Sequence, residues 1–225
     1  MKMDRRLLMQ AAGKLLAGLC LLALLLFVPA GTAGYWNGWL LLGVLFVPML
    51  LLGTALLLRD PALLRKRLNA KEKETEQKWV VAGSGLMFLA AFLLAGLNFR
   101  FRWTVLPGAV SWAAAGVFLL GYLLYAEVLR ENAYLSRTVE VQENQKVIDT
   151  GAYGVVRHPM YAATLLMFLS APLVLGSIPS LAVMLFYPAF IAVRIKNEEQ
   201  VLEAGLEGYA AYRRRVKYRV IPYIW

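Results

Sequence analysis

Six apolar stretches, each long enough to cross a bilayer as a helix, dominate this chain: residues 14 to 33, 36 to 58, 79 to 97, 105 to 126, 159 to 176 and 178 to 193. A spanning helix needs about 17–25 mostly apolar residues. Inside hydrocarbon every backbone N–H and C=O must be satisfied within its own segment, so runs of this kind become helices. The expected fold class is therefore all-α, a polytopic integral membrane helix bundle of about six transmembrane helices. Composition agrees, with 60% of the 225 residues hydrophobic and 17% charged. The first run follows Lys2, Arg5 and Arg6 as a signal peptide would, but it is too long for an h-region and a second run follows at once, so it reads as a span.

The formal charge of +10 would point a soluble chain toward nucleic acid; beside long apolar runs it belongs to loops at one membrane face, and nucleic acid is excluded as a partner. The first terminus and the even-numbered loops and tail carry 4, 7, 4 and 7 Lys and Arg, against 0, 2 and 0 in the odd-numbered loops. The positive-inside rule then puts both termini and both long loops in the cytoplasm, as in a multi-pass protein of a bacterial inner membrane. A single Cys, Cys20, rules out a disulfide framework, and a single His, His158, rules out multi-histidine metal cages, so no metal is expected. The chemistry falls to Arg, Glu, Tyr and that one His.

Two unlike halves follow. Residues 1–126 hold four spans with no ionisable residue near their middles and read as a membrane scaffold, since intramembrane charge is the usual mark of function. Within the loop 59 to 78, Asp60 and Pro61 occupy N-cap and N1 positions of a short helix, read here as an anchor on anionic lipid. Residues 127–225 concentrate the polar signal: a cytoplasmic loop, a helical hairpin and a charged tail.

The turn Gly176–Ser177–Ile178–Pro179 is so short that the hairpin arms must pack antiparallel, which returns the start of the tail to the loop that precedes the hairpin. Arg157, His158, Arg194, Glu198 and Glu199 are thus expected neighbours at one membrane face. Pro159 suits the first helical turn, leaving His158 as N-cap beside free backbone N–H groups that favour an anion. Alone, Arg157 and His158 read as interfacial snorkelling; beside the returning tail they read as a carboxylate cradle. Arg194 and Glu198 lie four apart on one helical face in the less favourable order for a stabilising pair, which makes stability a poor reason for them. Glu199 is a further candidate, whereas Glu203 and Glu207 read as a solvated face. Gly151 and Gly154 flank Tyr153 in a turn where backbone can approach a ligand. Tyr209 and Tyr212, followed by Arg213 to Arg215, read as an amphipathic tail lying on anionic lipid.

Together, GAYGVVRHPMY, the hairpin, RIKNEE and the Tyr-rich EGYAAYRRRVKYRVIPYIW resemble the isoprenylcysteine carboxyl methyltransferase family and its bacterial relatives, within a wider group that includes phospholipid N-methyltransferases. The resemblance covers residues 126 to 225, and RDPALLRKRLNAKEKETEQKW looks like the matching loop of bacterial members. It implies an integral membrane enzyme using S-adenosyl-L-methionine, bound in a cytoplasmic site formed by the C-terminal half. By resemblance the cofactor is held by Gln142, by Gln145, Lys146, Val147 and Ile148, by Tyr153, by His158, Pro159, Met160 and Tyr161, and by Glu198 with Glu199 beside it. Arg194 and Glu198 take the catalytic roles, and Arg194 with Arg157 the substrate. Three residues depart from the pattern: Gln145 replaces a usual His of eukaryotic members, Gly154 a frequent Arg of bacterial ones, and Ala163 a Gly that commonly follows RHPxY.

Attack on a sulfonium methyl is an in-line displacement that profits from orientation and exclusion of water. A carboxylate, with an ordinary pKa of ~4, is already ionised and needs only to be held, which suits Arg194. An amine arrives protonated and needs a base, for which Glu198, Glu199 or His158 are the nearby choices. Three readings stand: a carboxyl O-methyltransferase acting on a hydrophobic or isoprenylcysteine-like acid that enters laterally between spans, a phospholipid amine N-methyltransferase, and a non-enzymatic membrane scaffold or transport protein. The polar cluster of the second half disfavours the third.

Overall fold

A computed structural model describes residues 4–69, 75–136, 138 and 141–225 of the chain. The described residues contain helices and no strand. In order they are α1 (Arg5–Ala30), α2 (Trp36–Arg59), α3 (Pro61–Leu68), α4 (Thr75–Phe101), α5 (Gly108–Glu131), a 3-10 turn (Gly151–Gly154), α6 (Pro159–Val174), α7 (Ile178–Met184), α8 (Tyr187–Gly205) and α9 (Tyr209–Arg215).

Five segments are long and apolar enough to cross a membrane: α1, α2, residues Lys78–Phe101 of α4, α5, and Ile178–Gly205, which joins α7 and α8. This is a multi-pass membrane bundle. The arm expected at 159 to 176 is the 16-residue α6, only ~24 Å long at 1.5 Å per residue. The arm expected at 178 to 193 runs on to Gly205 and is broken. Its break has a local cause: a proline inside a helix collides with the carbonyl four residues back, and α7 stops at Met184, four before Pro188.

α6 packs most extensively on α5, and a glycine makes this possible. A Cβ on Gly121 of α5 would lie 2.8 Å from the Met167 side chain and 3.0 Å from the Ala163 carbonyl. The close approach is thus provided by α5, and a methyl group at Ala163 is accommodated.

At the far end of the bundle the last carbonyls of α6 have no helical partner. Side chains from three other segments supply one. Tyr35 donates to Leu175 O (2.7 Å), Asn37 to Val174 O (2.8 Å), Asn98 to Gly176 O (3.2 Å) and Ser111 to Leu173 O (3.2 Å). Gly176, at φ +68°, makes the turn, and the Ser177 hydroxyl caps α7 by accepting from Ser180 N. The tight hairpin expected from sequence is therefore clasped by α2, α4 and α5.

The opposite end gathers the N-terminal Asp4, α3, the loop after α5, α9 and the tail. Here α3 corrects one expectation. Asp60 caps it as foreseen, accepting from Leu63 N at 3.0 Å, but the helix is not a lipid anchor. Leu63 and Leu64 are buried. Lys66 donates to Ala133 O at 3.0 Å, Arg67 donates to Ser136 O and to the Tyr125 hydroxyl, and Arg65 pairs with Asp4. The cations of α3 fasten it to the rest of the chain.

Candidate functional site

The loop after α5 is organised by the end of that helix. Gly151 has φ +50°, and a Cβ there would overlap the Glu131 carboxylate, which accepts from Ala152 N at 3.1 Å. The glycines of this turn serve its geometry: neither Gly151 nor Gly154 lines the cavity described below, which corrects the expectation of close backbone approach to a ligand. What the turn delivers is Tyr153. Its hydroxyl accepts from Asn132 at 2.9 Å, and its carbonyl accepts from the Tyr212 hydroxyl at 2.8 Å.

The tail then closes on the start of α6. Arg157 N donates to Tyr218 O (2.9 Å) and His158 N to Arg219 O (2.8 Å). Beneath this pairing lies a buried ionic knot. Glu199 accepts from Arg157 Nε at 2.8 Å and Nη2 at 2.7 Å, and from Arg219 Nε at 3.1 Å and Nη2 at 3.0 Å, with His158 Nε2 at 3.3 Å. Arg157 Nη1 donates onward to Val216 O and Lys217 O. Burying a carboxylate and a guanidinium is tolerable only with such full satisfaction.

Beside this knot, Tyr161 of α6 links the two residues singled out as catalytic. Its hydroxyl donates to Glu198 Oε2 at 2.5 Å and accepts from Arg194 Nε at 3.0 Å. The phenol bridges the guanidinium and the carboxylate.

These groups border a cavity of about 810 Å³, within the ~300–1,000 Å³ usual for small-molecule sites. At its polar end stand Gln145, Lys146, Val147, Ile148, Tyr153, Arg157, His158, Met160, Tyr161, Arg194 and Glu198. Toward the membrane it is walled by Met49 and Leu52 of α2, Phe88 of α4, Phe168 of α6 and Phe190 of α8. Phe88, Phe168 and Tyr187 pack edge to face, with ring centroids 4.9 to 5.7 Å apart.

Eleven of the fourteen singled-out residues therefore border one cavity, and three do not. Gln142 holds the loop by donating through its side chain to Tyr134 O and through its backbone to Gln145 Oε1. Pro159 is buried in the first turn of α6, and Glu199 is consumed by Arg157, Arg219 and the His158 ring. Arg157 touches the cavity, yet its guanidinium is committed to Glu199 and to the tail carbonyls.

The tail arginines also differ from the reading of a helix lying on lipid. Arg213 pairs with Glu203, and Arg215 with Asp149. Tyr209 and Tyr212 of α9 are buried and line the cavity. Burial raises the phenol pKa of Tyr153, Tyr209 and Tyr212, so each stays a neutral donor. The Tyr209 hydroxyl is buried without a hydrogen-bond partner. Sequence reasoning also passed over Arg67 and Asn132, which border the same cavity.

Compared with solved structures, the chain superposes on a eukaryotic intramembrane Ras methyltransferase, ICMT (isoprenylcysteine carboxyl methyltransferase), with a TM-score of 0.57 over 95% of this chain and 77% of that one, at 19% identity. The fold is that of a membrane methyltransferase. Residues 109–207 match the model of the phospholipid methyltransferase family, and this stretch contains α5, α6, α7 and α8. The chain is also similar to two Delta(14)-sterol reductases. The Delta(14)-sterol reductase TM7SF2 of Mus musculus is 30% identical over 91 residues, covering 39% of this chain and 22% of that protein. The Delta(14)-sterol reductase of Arabidopsis thaliana is 26% identical over 122 residues, 48% of this chain and 32% of that one. The chain thus spans a third or less of the length of these reductases.

Proposed function

We propose that the protein is an S-adenosylmethionine-dependent carboxyl O-methyltransferase acting on a hydrophobic or isoprenylcysteine-like acid. The observation that carries this reading is a single cavity whose polar end holds Arg194, Tyr161 and Glu198 and whose other end is an aromatic and aliphatic shaft between membrane helices. A water-soluble cofactor and a membrane-borne acceptor meet in such a space.

The residues present fit the cofactor. The orphaned Tyr209 hydroxyl lacks an acceptor, the Glu198 carboxylate suits a cation or a ribose, and the backbone of residues 145–148 borders the same end. These groups, with Tyr153, His158, Met160 and Tyr161, would hold it. When bound, S-adenosylmethionine supplies an electrophilic methyl group on a sulfonium. Arg194, bonded through Nε to Tyr161, would hold the acceptor carboxylate by its fixed positive charge. No base is required, because the acid is already ionised at neutral pH. Tyr161 is a positioning residue: through its two hydrogen bonds it keeps Glu198 and Arg194 in register. The aromatic shaft excludes water from the displacement. In this reading residues 127–225 form the methyl-transfer core, residues 1–126 form the membrane scaffold and part of the acceptor wall, and the polar end with both termini faces the cytoplasm.

A second reading is favoured by the match of residues 109–207 to phospholipid methyltransferases. There an amine is the nucleophile, and Glu198 would take its proton.

Calorimetry on the detergent-solubilised protein tests the proposal. Wild type is expected to bind S-adenosylmethionine and its demethylated product. Glu198→Ala and His158→Ala are each expected to weaken binding about 10- to 100-fold, the worth of one charge-assisted hydrogen bond. Binding of neither compound would overturn it, and reduction of a sterol by the purified protein would favour a reductase like the enzymes it resembles. Methyl transfer to phosphatidylethanolamine and to no acid would favour the second reading.

A further inference from the structure

We propose that Arg67 of α3 is a second anion-recognising side chain of the cavity, and that it reads the acidic headgroup of the methyl acceptor; this rests on the methyl-transfer reading above. Residues three and four apart share a helical face. Arg67 stands four after Leu63 and three after Leu64, both buried at 3% and 6% exposure, so it belongs to the inward stripe of α3. It borders the same cavity as Arg194 and Glu198.

Its guanidinium is immobilised. Nη1 donates to Ser136 O at 3.0 Å, Nη2 donates to the Tyr125 hydroxyl at 2.9 Å, and the group lies over the Tyr125 ring at 5.5 Å from the centroid. Nε is buried with no hydrogen-bond partner. A guanidinium is donor-only and always charged, and an unmade buried donor is costly, so this N–H calls for an acceptor. Among the described residues no carboxylate pairs with Arg67. The side chain is thus a fixed, charged donor at the cavity wall with no anionic partner among the described residues.

Its position ties it to the reacting end. Tyr153, Arg194 and Glu198 border the cavity that Arg67 borders, and Asn132, which donates to the Tyr153 hydroxyl, lines it too. The anion in question is an oxyanion, either a carboxylate or a phosphate at the head of a lipid chain. An arginine suits both, because its planar fork matches either group.

The test uses the full chain in neutral detergent, titrated calorimetrically with hexadecanoate, hexadecyl phosphate and hexadecanol. Wild type is expected to prefer the anions to the alcohol. Arg67→Gln is expected to lose about 10- to 100-fold of anion affinity. Its affinities for hexadecanol and for S-adenosylmethionine should stay within about twofold of wild type, a split that a merely structural role would not produce. Tyr125→Phe keeps the charge but releases Nη2, and is expected to lose part of the anion preference; it stands in if Arg67→Gln melts early. Tighter binding of the phosphate than of the carboxylate identifies a phospholipid headgroup, and the reverse identifies a fatty or prenylated acid. An anion-to-alcohol ratio unmoved in both variants overturns the proposal, as does loss of cofactor affinity with acid affinity intact. A wild type that binds the acids but not S-adenosylmethionine would sink the methyl-transfer reading and leave Arg67 an anion site.

Discussion

Replacing Glu199 by Gln should unfasten the tail from the bundle. The side chain of Glu199 is 4% exposed and that of Arg157 5%, whereas that of Arg219 is 32% exposed. Removing one partner of a buried ion pair costs about 3–5 kcal/mol, because the remaining charge stays buried. The outer pair with Arg219 is partly screened and adds at most ~1 kcal/mol. Arg157 keeps its bonds to Val216 O and Lys217 O, which places the expected loss near the lower end, about 3 kcal/mol. For a chain of this length that corresponds to a melting temperature lower by about 6–12 °C.

Intrinsic fluorescence of the detergent-solubilised protein reads this directly. Trp225 is a local reporter, since the Arg219 guanidinium sits over its ring at 5.8 Å. The double variant Arg157→Leu with Glu199→Leu should melt higher than Glu199→Gln alone, because the one charge it leaves unpaired, on Arg219, is partly exposed rather than buried. A Glu199→Gln melt within about 2 °C of wild type, outside the ~6 °C lower bound, would refute the clamp. So would strong loss of cofactor affinity at unchanged melting temperature, since Glu199 would then be a ligand of the cofactor.

Two further outcomes are expected. Arg194→Lys should keep cofactor affinity but lose about 10²-fold in methyl transfer, since a lysine cannot bond Tyr161 and grip an acid in one plane; full turnover on any acid would refute the two-point grip. With Cys20, the only cysteine, replaced by Ser, a cysteine introduced at Ser136 should resist an impermeant thiol reagent applied to intact cells; labelling from outside would place the site on the wrong side of the membrane for a cytoplasmic cofactor.

The bundle was legible in the sequence because its cause is local. A run of twenty apolar residues becomes a helix in lipid whatever its neighbours do. The clustering of 22 of the 24 Lys and Arg in alternate connections matches an end of the bundle that gathers Asp4, α3, the loop and the tail. What could not be read was anything set by contacts across the chain. The clasp of Tyr35, Asn37, Asn98 and Ser111 on the end of α6 joins residues 62 to 140 positions apart, and nothing near any of them announces it. The docking of α3 is of the same kind: its cations look like a lipid anchor until the loop carbonyls that receive them are in view.

Within the site, the division follows helical period. Arg194 and Glu198 repeat every four residues and so share a face, which the structure turns into the cavity. Glu198 and Glu199 are adjacent, and a residue rotates about 100° from its neighbour on a helix; here Glu198 turns to the cavity and Glu199 to the buried side. Four and eight residues before Glu199 stand Ile195 and Ile191, and all three are buried. The stripe that carries Glu199 is the core stripe of α8, interrupted by one acid. A carboxylate at the end of an apolar stripe requires charged and polar partners from elsewhere in the chain, and Arg157, His158 and Arg219 are what the RHP motif and the tail bring to it. Two consecutive glutamates that look interchangeable in the sequence are therefore separated by geometry into one that faces the ligand space and one that holds the floor beneath it.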